Sequence, residues 1–179
     1  DISTRFNNKF GEVFGVPDDT KHQTAFIQRD NGLRIRSLVD PTKKMSKSST
    51  NEKSKIVLSD NPEVARKKIM SATTDSIGVI NFDWNNQPGI TSLLQILSLL
   101  SGRTQDDVNA EWWGKERYGD FKKVVADQVA SFLSDFQTKY SAISDEQVLA
   151  ILEKSEASVR EVANSTLLRA QQAVGLRPN

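Results

Sequence analysis

The sequence predicts a mainly α protein: a helical bundle from residue 56 onward, entered from a short α/β piece that ends in a lysine-serine loop. Three observations carry that prediction. Apolar residues recur at helical spacing over 121–140 and again over 148–174. The stretch 91–100 carries Leu93, Leu94, Ile96, Leu97, Leu99 and Leu100, apolar nearly all round, as a central helix requires. By contrast, 33–39 begins with apolar residues at alternate positions, with arginines between, which is the period of a half-buried strand.

The totals narrow the function classes. At 179 residues the chain can bury a sizeable core. It is 37% hydrophobic and 26% charged, and neither a membrane-spanning run nor a basic, apolar leader is visible. Without cysteine there is no thiolate zinc site, thiol catalysis or disulfide. His22 is the sole histidine and reads as a surface or loop residue, so no metal ligands are predicted. Net charge is +1, and polyanion binding must come from clustered cations rather than global charge. The opening Asp1-Ile2-Ser3-Thr4 lacks an initiator Met and reads as a helix under way, so a piece of a longer chain is expected.

In chain order, residues 1–8 are expected to be helical, Gly11 to turn, and 12–16 to form a short strand. Phe26 and Ile27 carry no pattern, and Asn31-Gly32 signals a turn. The strand 33–39 then leads into Asp40-Pro41-Thr42-Lys43-Lys44-Met45-Ser46-Lys47-Ser48-Ser49. Lysines alternating with hydroxyls suit a mobile loop gripping a polyphosphate, with ammonium groups as point charges and hydroxyls and amides as donors. Composition alone favours an ordinary basic surface loop. The polar run 49–55 follows as a hinge, and its Lys53 and Lys55 read either as added positive field or as a solvated linker. The anchor Ile56-Val57-Leu58 leads to a helix start at Asp60 or Asn61, with Pro62 in the first turn. Arg66, Lys67 and Lys68 read as a solvated face or an RNA-backbone contact.

The rest is helical. Phe82 and Trp84 are expected to pin a loop, and Ser101-Gly102 to stop the central helix. Thr104 caps the next helix, with Asp107 in the capping-box position. Trp112 and Trp113, followed by Gly114, read as core and helix packing in preference to a base-stacking pair. A cationic group, Lys115, Arg117, Lys122 and Lys123, surrounds Tyr118-Gly119-Asp120. Ser144, with Gln147, caps the last helix, which runs to Gly175.

Order adds what composition cannot. Lys44-Met45-Ser46-Lys47-Ser48 is similar to the signature loop of class I aminoacyl-tRNA synthetases. The wider run from Gly32 through Ser48 resembles bacterial-type tryptophanyl-tRNA synthetase. So do Phe6-Asn7-Asn8-Lys9-Phe10-Gly11-Glu12-Val13-Phe14, Lys67-Lys68-Ile69-Met70, Thr74-Asp75-Ser76 and Tyr118-Gly119-Asp120-Phe121-Lys122-Lys123. The resemblance runs nearly end to end. It implies that 1–55 is the last part of a Rossmann-type α/β nucleotide-binding domain, its earlier strands lying before Asp1. It implies that 56–179 is a C-terminal helical domain facing the tRNA anticodon arm.

The same resemblance implies ATP with Mg2+ as cofactor, L-tryptophan and tRNA(Trp) as partners, a homodimer, and a cytoplasmic setting without membrane contact. It gives Lys44 and Lys47 the catalytic roles at the ATP phosphates, Lys47 the larger one. Ser46 and Ser48 donate hydrogen bonds or shape the loop. Met45 is either an apolar anchor or a backbone contact to adenine, and Ile35 is a weaker candidate for the latter. The family's His-containing nucleotide signature and its tryptophan pocket have no counterpart in these residues, so the chain alone is expected to be inactive. Two alternatives stay open: a non-catalytic tRNA- or RNA-binding helical module, and a tyrosine-specific relative that shares the loop type.

Overall fold

The computed structural model describes residues 1–23 and 34–178. Phe26, Ile27, the Asn31-Gly32 turn and Leu33 lie outside them. The described elements are α1 (Ile2–Phe10), α2 (Thr20–Gln23), a 3-10 turn at Glu52–Ser54, α3 (Pro62–Met70), α4 (Pro88–Ser101), α5 (Gln105–Trp112), α6 (Tyr118–Ser141) and α7 (Asp145–Ala173). They divide between two compact units, Asp1–Gln28 with Ile143–Asn179, and Arg29–Ala142. Among the described residues no helix is long and apolar enough to cross a membrane.

The second unit is the bundle. Its core joins Ala65 and Ile69 of α3, Ile90, Leu93, Leu94 and Leu97 of α4, Val108 and Trp112 of α5, and Phe121, Val125, Val129 and Leu133 of α6. Every residue from Gly89 to Ser98 is buried, as the all-round apolar pattern requires of a central helix. Two of the polar residues on α4 are satisfied locally: Thr91 Oγ1 accepts from the Asp83 amide at 2.8 Å, and Ser98 Oγ donates to the Arg103 carbonyl at 2.8 Å. Gly89 has a steric reason to be glycine, since a Cβ there would sit 2.3 Å from the Thr73 carbonyl oxygen.

Helix ends follow the capping chemistry. Asn61 accepts from the Glu63 amide with Pro62 beside it, and Thr104 accepts from the Asp107 amide. Gly102 takes the left-handed conformation (φ 69°) that ends α4. Ser144 and Gln147 form a full capping box.

A partly buried polar cluster ties the 75–79 loop to α4 and α6. Tyr118 Oη donates to Asp75 Oδ1 at 2.7 Å, and Gln87 Nε2 donates to Asp75 Oδ1 at 3.0 Å and to the Val79 carbonyl at 2.8 Å. Burial, reinforced by Asp75, pushes the Tyr118 hydroxyl up to about 12. Burial also acts to raise Asp75, but hydrogen bonds from Tyr118, Gln87 and the Ile77 amide outweigh it and hold the carboxyl below its ordinary value.

Several sequence expectations need correction. Over the described residues 34–39 the expected strand reduces to a single antiparallel bridge, Arg36 with Lys44, made with its own loop. The strand over 12–16 is absent: the amides of Val13 and Phe14 donate to Asn7 Oδ1 (3.2 and 3.1 Å), so a side chain takes the place of a neighbouring strand. Trp112 is core, against Phe121 at 4.9 Å, whereas Trp113 is 69% exposed. Lys68 is no solvated cation. Its Nζ lies 2.7 Å from Asp60 Oδ2, with both side chains largely buried, and Arg66 pairs with Glu63 and Asp127.

In the first unit, α1 packs Phe6 against Phe10 and Phe14, with ring centroids 4.9 Å apart in each pair. His22 is exposed and pairs with Asp19. No residue of α7 is buried. Its apolar stripe and Phe14 line an open groove that includes Val159, Val162 and Leu167.

Candidate phosphate-binding loop

The lysine-serine loop is the arm of a narrow hairpin. The Met45 amide donates to the Ile35 carbonyl at 2.8 Å and the Ser37 amide to the Lys43 carbonyl at 2.9 Å. A turn closes it, Lys43 N–H to Asp40 C=O at 3.0 Å, with Pro41 at the position whose φ it pre-sets. Asp40 holds the turn twice more, accepting from Thr42 and pairing with Lys43 Nζ at 2.9 Å. Hydrogen bonds from Thr42 and then Lys43 keep the Asp40 carboxyl below its ordinary value, and Asp40 raises Lys43. Lys43 therefore serves the turn.

The hairpin is seated on the bundle. Leu38 is a core residue, its amide donates to the Ser54 carbonyl at 3.0 Å, and its carbonyl accepts from the Thr73 amide at 2.7 Å. The Arg36 amide donates to Ser92 Oγ on α4 at 3.3 Å, and the Arg36 guanidinium lies 5.1 Å from the Trp84 ring centroid, a cation–π distance. Trp84 in turn meets Phe82 edge-on at 6.1 Å, so this aromatic pair pins both its own loop and the base of the hairpin.

From Ser46 to Asn51 the backbone has no regular structure and is held largely by side chains. Ser46 Oγ and Ser48 Oγ lie 3.0 Å apart, and the Ser49 amide closes a turn onto the Ser46 carbonyl at 3.2 Å. Ser54 Oγ donates to Ser49 Oγ at 2.8 Å. The ammonium of Lys55 donates to the carbonyls of Lys47 (3.0 Å) and Ser49 (2.7 Å) and pairs with Glu52 at 3.0 Å.

A cavity of about 340 Å³ opens beside this loop, lined by Arg34, Ile35, Lys44, Met45, Lys47, Lys55, Ile56 and Val57. Four of the eight are cationic and none is acidic, so the lining suits an anion of several charges. Ile35, Met45 and Ile56 pack partly on the core and supply an apolar floor. The structure thus brings Lys44, Lys47, Ile35 and Met45 together. Ser46 and Ser48 shape the loop and are not among the lining residues. Arg34 and Lys55 also line the cavity, and neither is among the residues the signature resemblance points to. Arg34 read only as the polar position of a strand, and nothing in the polar run 49–55 marks Lys55 as the one lysine that folds back.

Three of the four cations around Tyr118-Gly119-Asp120 have local contacts. Lys122 Nζ donates to the Ala72 carbonyl at 2.7 Å, and burial lowers its pKa. Lys115 lies 4.4 Å from the Trp112 ring centroid, and Arg117 pairs with Asp120 at 2.9 Å.

Residues 1–134 match the family described as tRNA synthetases class I (W and Y). The chain is 41% identical over 177 residues to the tryptophan–tRNA ligase of Bacillus anthracis, and equally to that of Listeria monocytogenes. Each match covers 98% of this chain and 51% of the relative, so the chain spans about half the length of these relatives. Among solved structures, tryptophanyl-tRNA synthetase from Mycoplasma pneumoniae superposes with a TM-score of 0.73 at 36% identity, over 80% of this chain and 45% of that one. The Campylobacter jejuni enzyme, solved with ADP and tryptophan, gives 0.57 at 22% identity over 97% of this chain and 51% of its own, a likeness of fold alone.

Proposed function

This chain belongs to the class I tRNA synthetases of the tryptophan and tyrosine group, and from that membership we propose that it is the signature-loop and helical half of a tryptophan–tRNA ligase. The parent activates L-tryptophan with ATP, taken as its magnesium complex, and transfers the product to tRNA(Trp). In this reading 1–55 closes the nucleotide-binding part and 56–179 faces the anticodon arm. The parent works as a cytoplasmic homodimer.

The observation that carries the proposal is the cationic, acid-free lining of the cavity beside the loop, with Lys44 and Lys47 both in it. Activation joins the tryptophan carboxylate to the α-phosphorus and expels pyrophosphate, so negative charge accumulates on the departing oxygens. Lys47 is assigned to that developing charge, where a fixed cation lowers the barrier. Lys44 is assigned mainly to ATP binding. Met45 and Ile35 form the apolar side of the cavity, which suits a nucleobase or the loop's own anchoring. Ser46 and Ser48 hold the loop's shape through their mutual hydrogen bond.

Amino-acid-dependent ATP–pyrophosphate exchange tests the assignment. The full-length protein is expected to respond to tryptophan and not to tyrosine; a response to tyrosine alone, or to neither, overturns it. The 179-residue chain by itself is expected to give none, and clear exchange from pure material would show that these residues hold a complete site.

A further inference from the structure

Lys55 is 8% exposed, while Lys44, Lys47 and Lys53 around it are exposed. A lysine this buried requires partners for its charge and its three donors. It has three: the Lys47 carbonyl, the Ser49 carbonyl and Glu52 Oε1. Two of these are main-chain oxygens of the loop itself, so the ammonium ties the loop's exit back onto its phosphate-facing part. All three donors are spent, which separates Lys55 from Lys44 and Lys47 although it lines the same cavity. The other restraints at this bend are the 3.2 Å Ser49 to Ser46 backbone bond and the hydroxyl bonds of Ser46 with Ser48 and of Ser49 with Ser54 and the Asn51 amide.

We propose that Lys55 is a positioning residue that fixes the backbone at Lys47 and Ser49 and so sets where the Lys47 ammonium stands. The proposal rests on the reading of the loop as an ATP-phosphate grip, and it adds a residue that acts through Lys47 rather than on the nucleotide. Replacing the ammonium by a methyl thioether of similar length leaves two carbonyls without their donor and frees the bend. Because about 1 Å of misplacement costs on the order of 100-fold, a loss of about 10- to 100-fold in kcat is expected.

The test uses the full-length protein with Lys55→Met, Lys47→Ala and the double variant. In tryptophan-dependent pyrophosphate exchange, Lys55→Met should lower kcat and leave the KM for tryptophan unchanged. The double variant should be no slower than Lys47→Ala alone, since a residue acting through Lys47 has nothing left to position. Losses that multiply in the double variant would overturn the proposal. Amide hydrogen exchange supplies a readout independent of catalysis: Lys55→Met should speed exchange over 46–54 and leave α4 and α6 protected. Unchanged exchange over 46–54 overturns the clamp whatever the kinetics. If Lys47→Ala has no kinetic effect, it is the phosphate reading that fails, and hydrogen exchange alone decides the role of Lys55.

Discussion

Lys68→Met should be among the most destabilising single changes in the bundle. Lys68 Nζ stands 2.7 Å from Asp60 Oδ2, with 9% and 14% of the two side chains exposed. At an effective dielectric of about 20 that separation corresponds to a gross attraction of about 6 kcal/mol, most of it spent in desolvating the two ions. What the variant exposes is the asymmetry: it leaves a mostly buried carboxylate whose Oδ2 keeps only the Val57 amide, at 3.2 Å. Breaking such a pair from one side costs about 3–5 kcal/mol, whereas removing both charges costs much less. Urea denaturation followed by far-ultraviolet circular dichroism should therefore show Lys68→Met losing about 3–5 kcal/mol and Lys68→Met with Asp60→Asn recovering more than half of it. A loss under about 1 kcal/mol, or a double variant as unstable as the sum of the singles, would refute the ion pair as the element that pins 57–60 onto α3.

Gly89→Ala should cost about 1–3 kcal/mol in the same assay, because its methyl would meet the Thr73 carbonyl at 2.3 Å and backbone must move; wild-type stability would show that the 73–74 crossing yields freely. Tyr118→Phe should cost about 1–2 kcal/mol through its lost bond to Asp75. The pH dependence has a definite sign. The folded Tyr118 pKa of about 12 exceeds its ordinary 10, so its contribution is complete below pH 10 and is lost as pH rises from 10 to 12. Asp75 works oppositely, contributing above its ordinary 3.8 and losing that contribution as pH falls below it. Stability measured from pH 9 to 12 should decline with a Tyr118-dependent component that Tyr118→Phe lacks; identical declines would contradict the raised pKa.

Local chemistry was the most legible part of the chain. Asn61, Thr104, Ser144 and Gly102 act as their types predict, because a cap is decided within four residues. The central position of α4 was equally plain from its apolar circumference. What failed were statements about partners. A strand needs a neighbour, and alternation over 33–39 cannot say that, among the described residues, the single bridge is with Lys44 of its own loop. The stripe on α7 shows a face suited to burial without naming what covers it, and Val159, Val162 and Leu167 remain exposed. Lysines were hardest. Lys55 and Lys68 look like Lys53 and Lys67 in sequence, yet the path of the backbone buries the first two against carbonyls and a carboxylate. At the candidate site, residue order singles out Lys44 and Lys47, and the folded chain sets both beside one cavity, while the bonds from Lys55 to the Lys47 and Ser49 carbonyls have no signal in the sequence.

The most direct measurement is single-turnover formation of tryptophanyl-adenylate by the full-length protein and its Lys47→Ala variant, with tryptophan affinity determined separately. Removing a cation that acts mainly in the transition state should lower the activation rate by about 100-fold or more and leave tryptophan affinity within about twofold. Equal losses in rate and affinity would show that Lys47 holds the loop together rather than stabilising the departing pyrophosphate.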